Sequence, residues 1–259
     1  MTDAPTYADR RAFFDRMLTV YGRKPALEAL NDDSLSCHTL HLARSNRRGG
    51  IIDQLVQRAA ARGVEVREHS RQELSRISRN GKQDQGVALD ILCPAFQSTA
   101  SHLASLPGAG AQRLLALDGI TNPQNLGMIV RSATAGMLDG IIWSRRGTAG
   151  LGPLVIKASA GTLYRAPMLL SDDLRASLER YRAAGVEICT LSANADRSLF
   201  EHRPAGHCIY VLGNETEGVS TAVEALADRK LSIPMANAVE SLNVAVSASL
   251  IAYLPYLER

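Results

Sequence analysis

The sequence predicts an α/β protein in two domains, and three observations carry that prediction. Short apolar runs such as Leu114–Leu117 and Cys208–Leu212 alternate with segments of helical period through residues 113–259. A smaller version of the same alternation occupies residues 21–92. Between them, residues 93–112 have linker composition, with Pro94, Ser98, Thr99, Ser101, Ser105 and the run Pro107-Gly108-Ala109-Gly110.

Residues 1–20 read as an N-terminal arm, helical or loose, that Phe13, Phe14, Met17 and Leu18 would dock. Lys24–Leu30 follows as a helix with Pro25 near its start. Asn31-Asp32-Asp33 breaks it, and Leu35–Leu42 reads as a strand. Arg44–Gly50 is a basic loop, and Ile51–Ala61 an amphipathic helix with Ile51, Ile52, Leu55, Val56 and Ala59 on one side. Val64–Val66 is a short strand, Arg71–Ile77 a helix, Ser78–Gln85 a polar loop, and Gly86–Leu92 a strand. That makes a small α/β domain at 21–92.

In the second domain, strands are expected at Leu114–Leu117, Gly140–Trp143, Pro167–Leu170, Glu187–Leu191, Cys208–Leu212 and Lys230–Ile233. Helices are expected at Asn125–Met137, Leu154–Ala160, Asp172–Ala184, Ser220–Ala227 and Ser241–Leu254. Apolar strands alternating with helices imply a parallel sheet covered on both faces.

Apolar residues make up 46% of the chain, enough for a sizeable core, and no run approaches the roughly 18 apolar residues of a membrane helix. Met1–Arg16 mixes acids and arginines and lacks the apolar core of a signal peptide, so a cytoplasmic protein is expected. Cys37, Cys93, Cys189 and Cys208 are scattered, which fits reduced thiols and gives no zinc spacing. The pairs His38/His41 and His202/His207 have no companion ligands nearby in sequence, so no metal is expected.

The net charge of +3 is concentrated. Arg44–Lys82 holds ten basic residues against the four acids Asp53, Glu65, Glu68 and Glu73. Such a stretch suits a polyanion, or is simply a solvated helix face. Arg44, Arg47, Arg48, Arg79 and Lys82, on the two loops, are the candidate RNA contacts. Gly49, Gly50 and Gly81 would let the backbone approach a phosphate.

Three polar patches stand at the ends of expected strands. Asn122-Pro-Gln-Asn-Leu-Gly-Met-Ile-Val-Arg131 follows the turn Asp118-Gly119 and opens a helix. Asn125 either caps that helix or faces the sheet's carboxyl edge, where ligands collect in parallel α/β folds. Arg131 is a surface ion-pair partner or a site residue. Leu212-Gly-Asn-Glu-Thr-Glu-Gly218 puts Glu215 and Glu217 at a glycine-rich corner. Ile233-Pro-Met-Ala-Asn-Ala-Val-Glu-Ser-Leu-Asn-Val-Ala-Val246 enters a helix expected to start near Ser241, which would leave Asn243 too deep to cap it. Ala245, Ser247, Ala248 and Ser249 on that helix are small enough for another helix or chain to pack closely.

Together, in this order, the three patches resemble the motifs of the SpoU (TrmH) family of RNA ribose 2′-O-methyltransferases. Tyr21-Gly22, Ala26–Leu30 and Gln85-Gly86-Val87 resemble the opening and closing signatures of that family's RNA substrate-binding domain. The arrangement is most like the subgroup that methylates a guanosine of large-subunit rRNA, with Asn237 and Glu240 standing where glycine or serine is commoner. The alternatives are a tRNA 2′-O-methyltransferase, an rRNA methyltransferase conferring antibiotic resistance, or a non-catalytic RNA-binding ribosome-assembly factor. A dehydrogenase is disfavoured, since no Gly-x-Gly-x-x-Gly follows an expected strand.

The resemblance implies a deep trefoil knot of SPOUT type in a catalytic domain at 113–259, beside an RNA-binding domain at 21–92. It implies S-adenosylmethionine as cofactor, held at Leu212, Gly213, Ile233, Met235 and Leu242. It implies a homodimer, for which the helix Ser241–Leu254 suits the interface, and an RNA partner without membrane or metal. The catalytic residues it implies are Arg131, Asn125, Glu215, Ser241 and Asn243. Asn125 would position Arg131 or the ribose, Glu215 would hold Arg131 or Asn125, and Ser241 and Asn243 would order the loop and acceptor. Relatives' mechanisms propose the arginine as base, but a guanidinium stays protonated to a pKa above about 12.

Overall fold

A computed structural model describes residues 6–257; of the expected arm, residues 1–5 lie outside the described residues. The chain forms two compact units, one of Met1–Pro94 with Leu151–Pro153, the other of Ala95–Gly150 with Leu154–Arg259.

The first unit runs α1 (Tyr7–Asp15), β1 (Met17–Tyr21), α2 (Arg23–Asn31), β2 (Ser36–Ala43), α3 (Ile51–Ala61), β3 (Glu65–His69), α4 (Arg71–Ser78) and β4 (Val87–Leu92). Its sheet has the order β1-β4-β2-β3. Residues 17–20 are therefore not arm but strand, with Leu18 and Val20 buried and Met17–Tyr21 paired antiparallel to Ala88–Leu92. The pairing partner lies about seventy residues downstream, so nothing local in the sequence marks this edge. Among the described residues only α1 precedes it, started by a capping box in which Thr6 and Asp9 satisfy each other's backbone N–H groups.

The second unit contains β5 (Gln97–Ser98), α5 (Thr99–Ser105), β6 (Arg113–Leu117), α6 (Pro123–Ala135), β7 (Gly140–Ser144), α7 (Pro153–Ala158), β8 (Met168–Ser171), α8 (Leu174–Ala183), β9 (Glu187–Leu191), β10 (Cys208–Leu212), α9 (Thr221–Glu224), β11 (Arg229–Leu231) and α10 (Val244–Leu257). Seven strands form one sheet in the order β11-β9-β10-β6-β7-β8-β5, and every adjacent pair is parallel. All residues of β7 and β10 are buried, as expected of strands covered on both faces. Leu114, Ala116, Ile142, Ile188, Ile209 and Val211 pack there with Leu178 and Tyr181 of α8.

Residues 95–105, read as linker, belong to this sheet's edge. Gln97-Ser98 pairs with Leu169-Leu170, and Phe96 and His102 are buried. The serines that suggest flexibility do capping work instead: Ser98 Oγ accepts from Ser101 N at 3.1 Å. His102 Nδ1 stands 2.9 Å from the Tyr181 hydroxyl, tying α5 to α8.

Two packing relations position the polar patches. β6 pairs with β10 so that Leu117 faces Leu212, which places the corners after both strands side by side. Two strands, β9 and β10, separate β11 from β6, so the third patch arrives by another route: α10 packs on α6. The helices come so close that a Cβ on Gly136 would stand 2.6 Å from both the carbonyl oxygen and the Cβ of Ala252. Met137 N donates to that same carbonyl at 2.9 Å. Among the described residues, no helix is long and apolar enough to cross a membrane.

Because backbone of α10 blocks it, Gly136→Ala should destabilise the protein by about 1–3 kcal/mol in denaturant titration. Gly206→Ala, where an added Cβ meets nothing within 4 Å, should stay within about 0.5 kcal/mol.

Candidate active site where three loops meet

The helix that opens the first patch is capped by Asn122, not Asn125. Asn122 Oδ1 accepts from Gln124 N at 2.8 Å and from Asn125 N at 3.4 Å, with Pro123 at the first helical position. The Asn-Pro step was the missed sequence signal. Asn125 is thereby inside the first turn, 8% exposed, with its amide turned inward. Its Nδ2 donates to Glu215 Oε1 of the second patch. Its Oδ1 accepts from Asn243 Nδ2 of the third patch at 3.2 Å. One buried amide thus joins all three patches.

The second patch is rigid for reasons local to it. Asn214 and Gly218 exchange backbone hydrogen bonds at 2.9 and 2.8 Å, closing a tight loop that projects Glu215. A Cβ on Gly213 would stand 2.1 Å from the Gly218 carbonyl carbon, so glycine there serves this turn. Asn214 Nδ2 donates to Gly119 O at 2.9 Å, and Ser220 N to Asp118 Oδ2 at 2.7 Å. Asp118 and Asn214, not singled out from sequence, therefore lock the second loop to the first. An Asp-Gly step ending a central strand was the available signal for Asp118.

The third patch differs: residues 234–243 are all exposed. The chain passes through two consecutive left-handed residues, Asn237 (φ 54°) and Ala238 (φ 56°). α10 starts at Val244, three residues later than expected, and Asn243 is its cap after all, accepting from Ala245 N at 2.8 Å. Its Oδ1 serves the helix while its Nδ2 reaches Asn125. Ser241 is exposed, Ile233 is half-buried, and Met235 and Leu242 are 38% and 36% exposed.

Arg131 is exposed, and no hydrogen bond or ion pair engages its guanidinium among the described residues, so the surface ion pair is absent. No hydrogen bond or ion pair joins it to Asn125 or Glu215. Six residues on a 3.6-residue helix turn the side chains about 120° apart, which puts Asn125 on the packed face and Arg131 on the exposed stripe with Gln124 and Met128. Glu215 accordingly holds Asn125.

Of the two expected uses of the small residues of α10, the structure shows the close packing of another helix, α6. Ala245, Ser247 and Ala248 are buried within the chain, and Ser249 Oγ donates to Ser132 Oγ of α6 at 2.8 Å. The outward face carries Val246, Tyr253 and Tyr256, the two tyrosine rings stacked at 5.5 Å.

In the first unit, Arg44, Arg47, Arg48, Arg79 and Lys82 are all exposed, and none enters an ion pair with a described residue. Their two loops emerge together because Asn46 Nδ2 donates to Gly86 O at 2.7 Å, while Arg23 donates to Gln85 O at 3.1 Å and to Asn46 Oδ1 at 3.2 Å. Asn80 Nδ2 donates to the Tyr21 hydroxyl at 2.9 Å, so the opening and closing signatures clasp this loop pair. Gly81 has a packing role: a Cβ there would stand 2.1 Å from Ser75 Oγ. His202 does have neighbours with donor atoms, Glu187 and Cys189, which the sequence separates from it by 15 and 13 residues.

The model of the SpoU rRNA methylase family matches residues 112–253, and that of the RNA 2′-O ribose methyltransferase substrate-binding domain matches residues 19–92. An uncharacterized tRNA/rRNA methyltransferase of Mycolicibacterium smegmatis is 34% identical over 94% of this chain and 77% of its own length. One from Mycolicibacterium gilvum is 34% identical over 90% of this chain and 74% of its own. The same fold occurs in the AdoMet-bound rRNA methyltransferase from Sinorhizobium meliloti (TM-score 0.63, 22% identity, 98% of this chain and 91% of that one). It occurs also in the SpoU methyltransferase AviRb from Streptomyces viridochromogenes (TM-score 0.61, 22% identity, 98% and 94%). These matches define an RNA methyltransferase with an appended substrate-binding domain. The chain belongs to the SpoU rRNA methylase family.

Replacing Asn125 by Ala should orphan the Glu215 carboxylate and the Asn243 amide together, lowering stability by about 1–3 kcal/mol. Hydrogen exchange of residues 213–220 should quicken in that variant; unchanged exchange there would mean the loop is held by Asn214 and Asp118 alone.

Proposed function

We propose that the chain methylates a ribose 2′-hydroxyl of RNA, with a guanosine of large-subunit rRNA as target and S-adenosylmethionine as methyl donor. The observation that carries this reading is the Glu215–Asn125–Asn243 hydrogen-bond chain, which draws the three motif loops into one place. The residues around it suit the cofactor. Residues 234–243 are exposed and carry the apolar side chains of Met235 and Leu242, with Leu212, Gly213 and Ile233 beside them in the motifs. Backbone groups and apolar faces are what an adenine ring needs. S-adenosylmethionine supplies an electrophilic methyl group on a sulfonium.

The residues of the chain then orient and activate the acceptor. Arg131, cationic and unengaged, binds the phosphate next to the target ribose and stabilises the alkoxide as the hydroxyl loses its proton. Asn125, Glu215 and Asn243 hold the loops in register, and Ser241, exposed at the entry to α10, contacts the acceptor. Alignment of the acceptor oxygen alone supplies several kcal/mol.

The rest of the reading concerns assembly. The segment from β10 to α10 threads a deep trefoil knot. The outward face of α6 and α10, with Met128, Val246, Tyr253 and Tyr256, meets a second copy in a homodimer. The unit at 21–92 holds the RNA through Arg44, Arg47, Arg48, Arg79 and Lys82, and the enzyme works in the cytoplasm. A tRNA acceptor is the second reading, supported by relatives named tRNA/rRNA methyltransferases.

Arg131→Ala should lower the methylation rate by about 10²–10³-fold while S-adenosylmethionine binding by calorimetry stays within a few-fold. Wild-type rate in that variant would remove Arg131 from the mechanism. Mapping 2′-O-methyl sites in a deletion strain decides between rRNA and tRNA. Neutralising Arg44, Arg47 and Arg48 to Ala should lower the log–log salt slope of single-stranded RNA binding by about 2.

A further inference from the structure

One cluster lies outside everything described so far. Glu187 and Cys189 are two residues apart on β9, so both side chains leave the same face of the strand. His202, the cap residue after the 3₁₀ turn Leu199–Glu201, returns over that face. Glu187 Oε2 is 3.1 Å from His202 Nε2, and Cys189 Sγ is 3.8 Å from the same nitrogen. The three ligand atoms all lie within 4.8 Å of one another. Ligands bound to tetrahedral zinc at about 2.0–2.3 Å stand roughly 3.3–3.6 Å apart. The two separations from His202 Nε2 fall about two tenths of an ångström either side of that.

We infer that Glu187, Cys189 and His202 form a binding site for a thiophilic divalent cation of the zinc type. The donor set is one carboxylate, one thiolate and one imidazole, and its two anionic members balance the charge of the cation. The fourth position is taken by water, which enters through the cleft that Glu187 lines with Gly185, Gly206 and His207. The outer contacts are in place. His202 Nδ1 is 3.0 Å from the Tyr210 hydroxyl, which fixes the ring. Arg229 engages the other carboxylate oxygen of Glu187.

Binding exchanges one proton. The Cys189 S–H bond breaks, a sulfur–metal bond forms, and the proton leaves to solvent. His202 presents its Nε2 lone pair and donates Nδ1–H to the Tyr210 oxygen. The cation takes the place of the thiol proton, so binding weakens in acid. Glu187 opens β9 at the amino end of the parallel sheet, opposite the carboxyl ends that carry the three motifs. The cation there clamps the turn at 199–201 to the sheet and stands apart from methyl transfer.

The test uses the full chain, stripped with chelator and titrated first with Co²⁺, then with Zn²⁺. One equivalent of Co²⁺ should give a thiolate-to-cobalt charge-transfer band that Zn²⁺ bleaches. Cys189→Ser and His202→Gln should lose the band, Glu187→Gln should weaken Co²⁺ affinity at least about 10-fold, and Cys37→Ser and Cys93→Ser should keep it. Zinc should raise the Tm of wild type and leave that of Cys189→Ser unmoved. Absence of the band in wild type, or its persistence in Cys189→Ser, would overturn the inference. If Cys189→Ser fails to fold, the wild-type and His202→Gln titrations decide.

Discussion

The amide of Asn125 is the interaction on which the candidate site depends. A side-chain amide both donates and accepts, and here the two functions are divided: the nitrogen serves Glu215 and the oxygen serves Asn243. A carboxylate could only accept and an alkyl chain could do neither, so no simple replacement joins both loops. The arrangement also requires that something else cap α6, which is why Asn122 stands before Pro123. Freed from the cap, Asn125 turns its amide into the junction.

That junction works because two larger packing relations bring the loops within reach. The β6–β10 register sets the first two corners side by side. The α6–α10 contact, made close by Gly136 and the small residues of α10, brings Asn243 to Asn125. The second loop is tied down by its own backbone and by Asp118, whereas the third stays exposed from residue 234 to 243. Rigid walls on one side and an open loop on the other are a sensible division for a site that must admit a ligand and hold it. The small-residue stripe is consumed inside the chain, so any partner helix meets the larger apolar face of Val246, Tyr253 and Tyr256 instead.

Much of the fold was legible because burial leaves a period in the sequence. The apolar runs of β6, β7, β9 and β10 and the helical stripes between them appear where expected, since a parallel sheet covered on both faces demands continuous apolar strands. β1 and β5 were not legible. Each is a short edge strand whose partner is far along the chain, and the serines around β5 read equally as linker or as caps. The site motifs were visible as polar residues at strand ends, but their connections were not: Asn125 looked like a cap and Asn243 like something other than one.

The sequence by itself determined which residues are polar at the ends of which strands, the order of the three motifs, the concentration of cations on two loops, and the α/β class. Local period and composition encode all of these. Tertiary structure alone decided that one amide joins the three loops and that the side of α6 bearing Asn125 is buried while the side bearing Arg131 is exposed. It also decided that Glu187 and Cys189 meet His202. Each of those facts depends on strand order, helix rotation or a return of the chain over a sheet face. These are relations between distant segments, which no local pattern records.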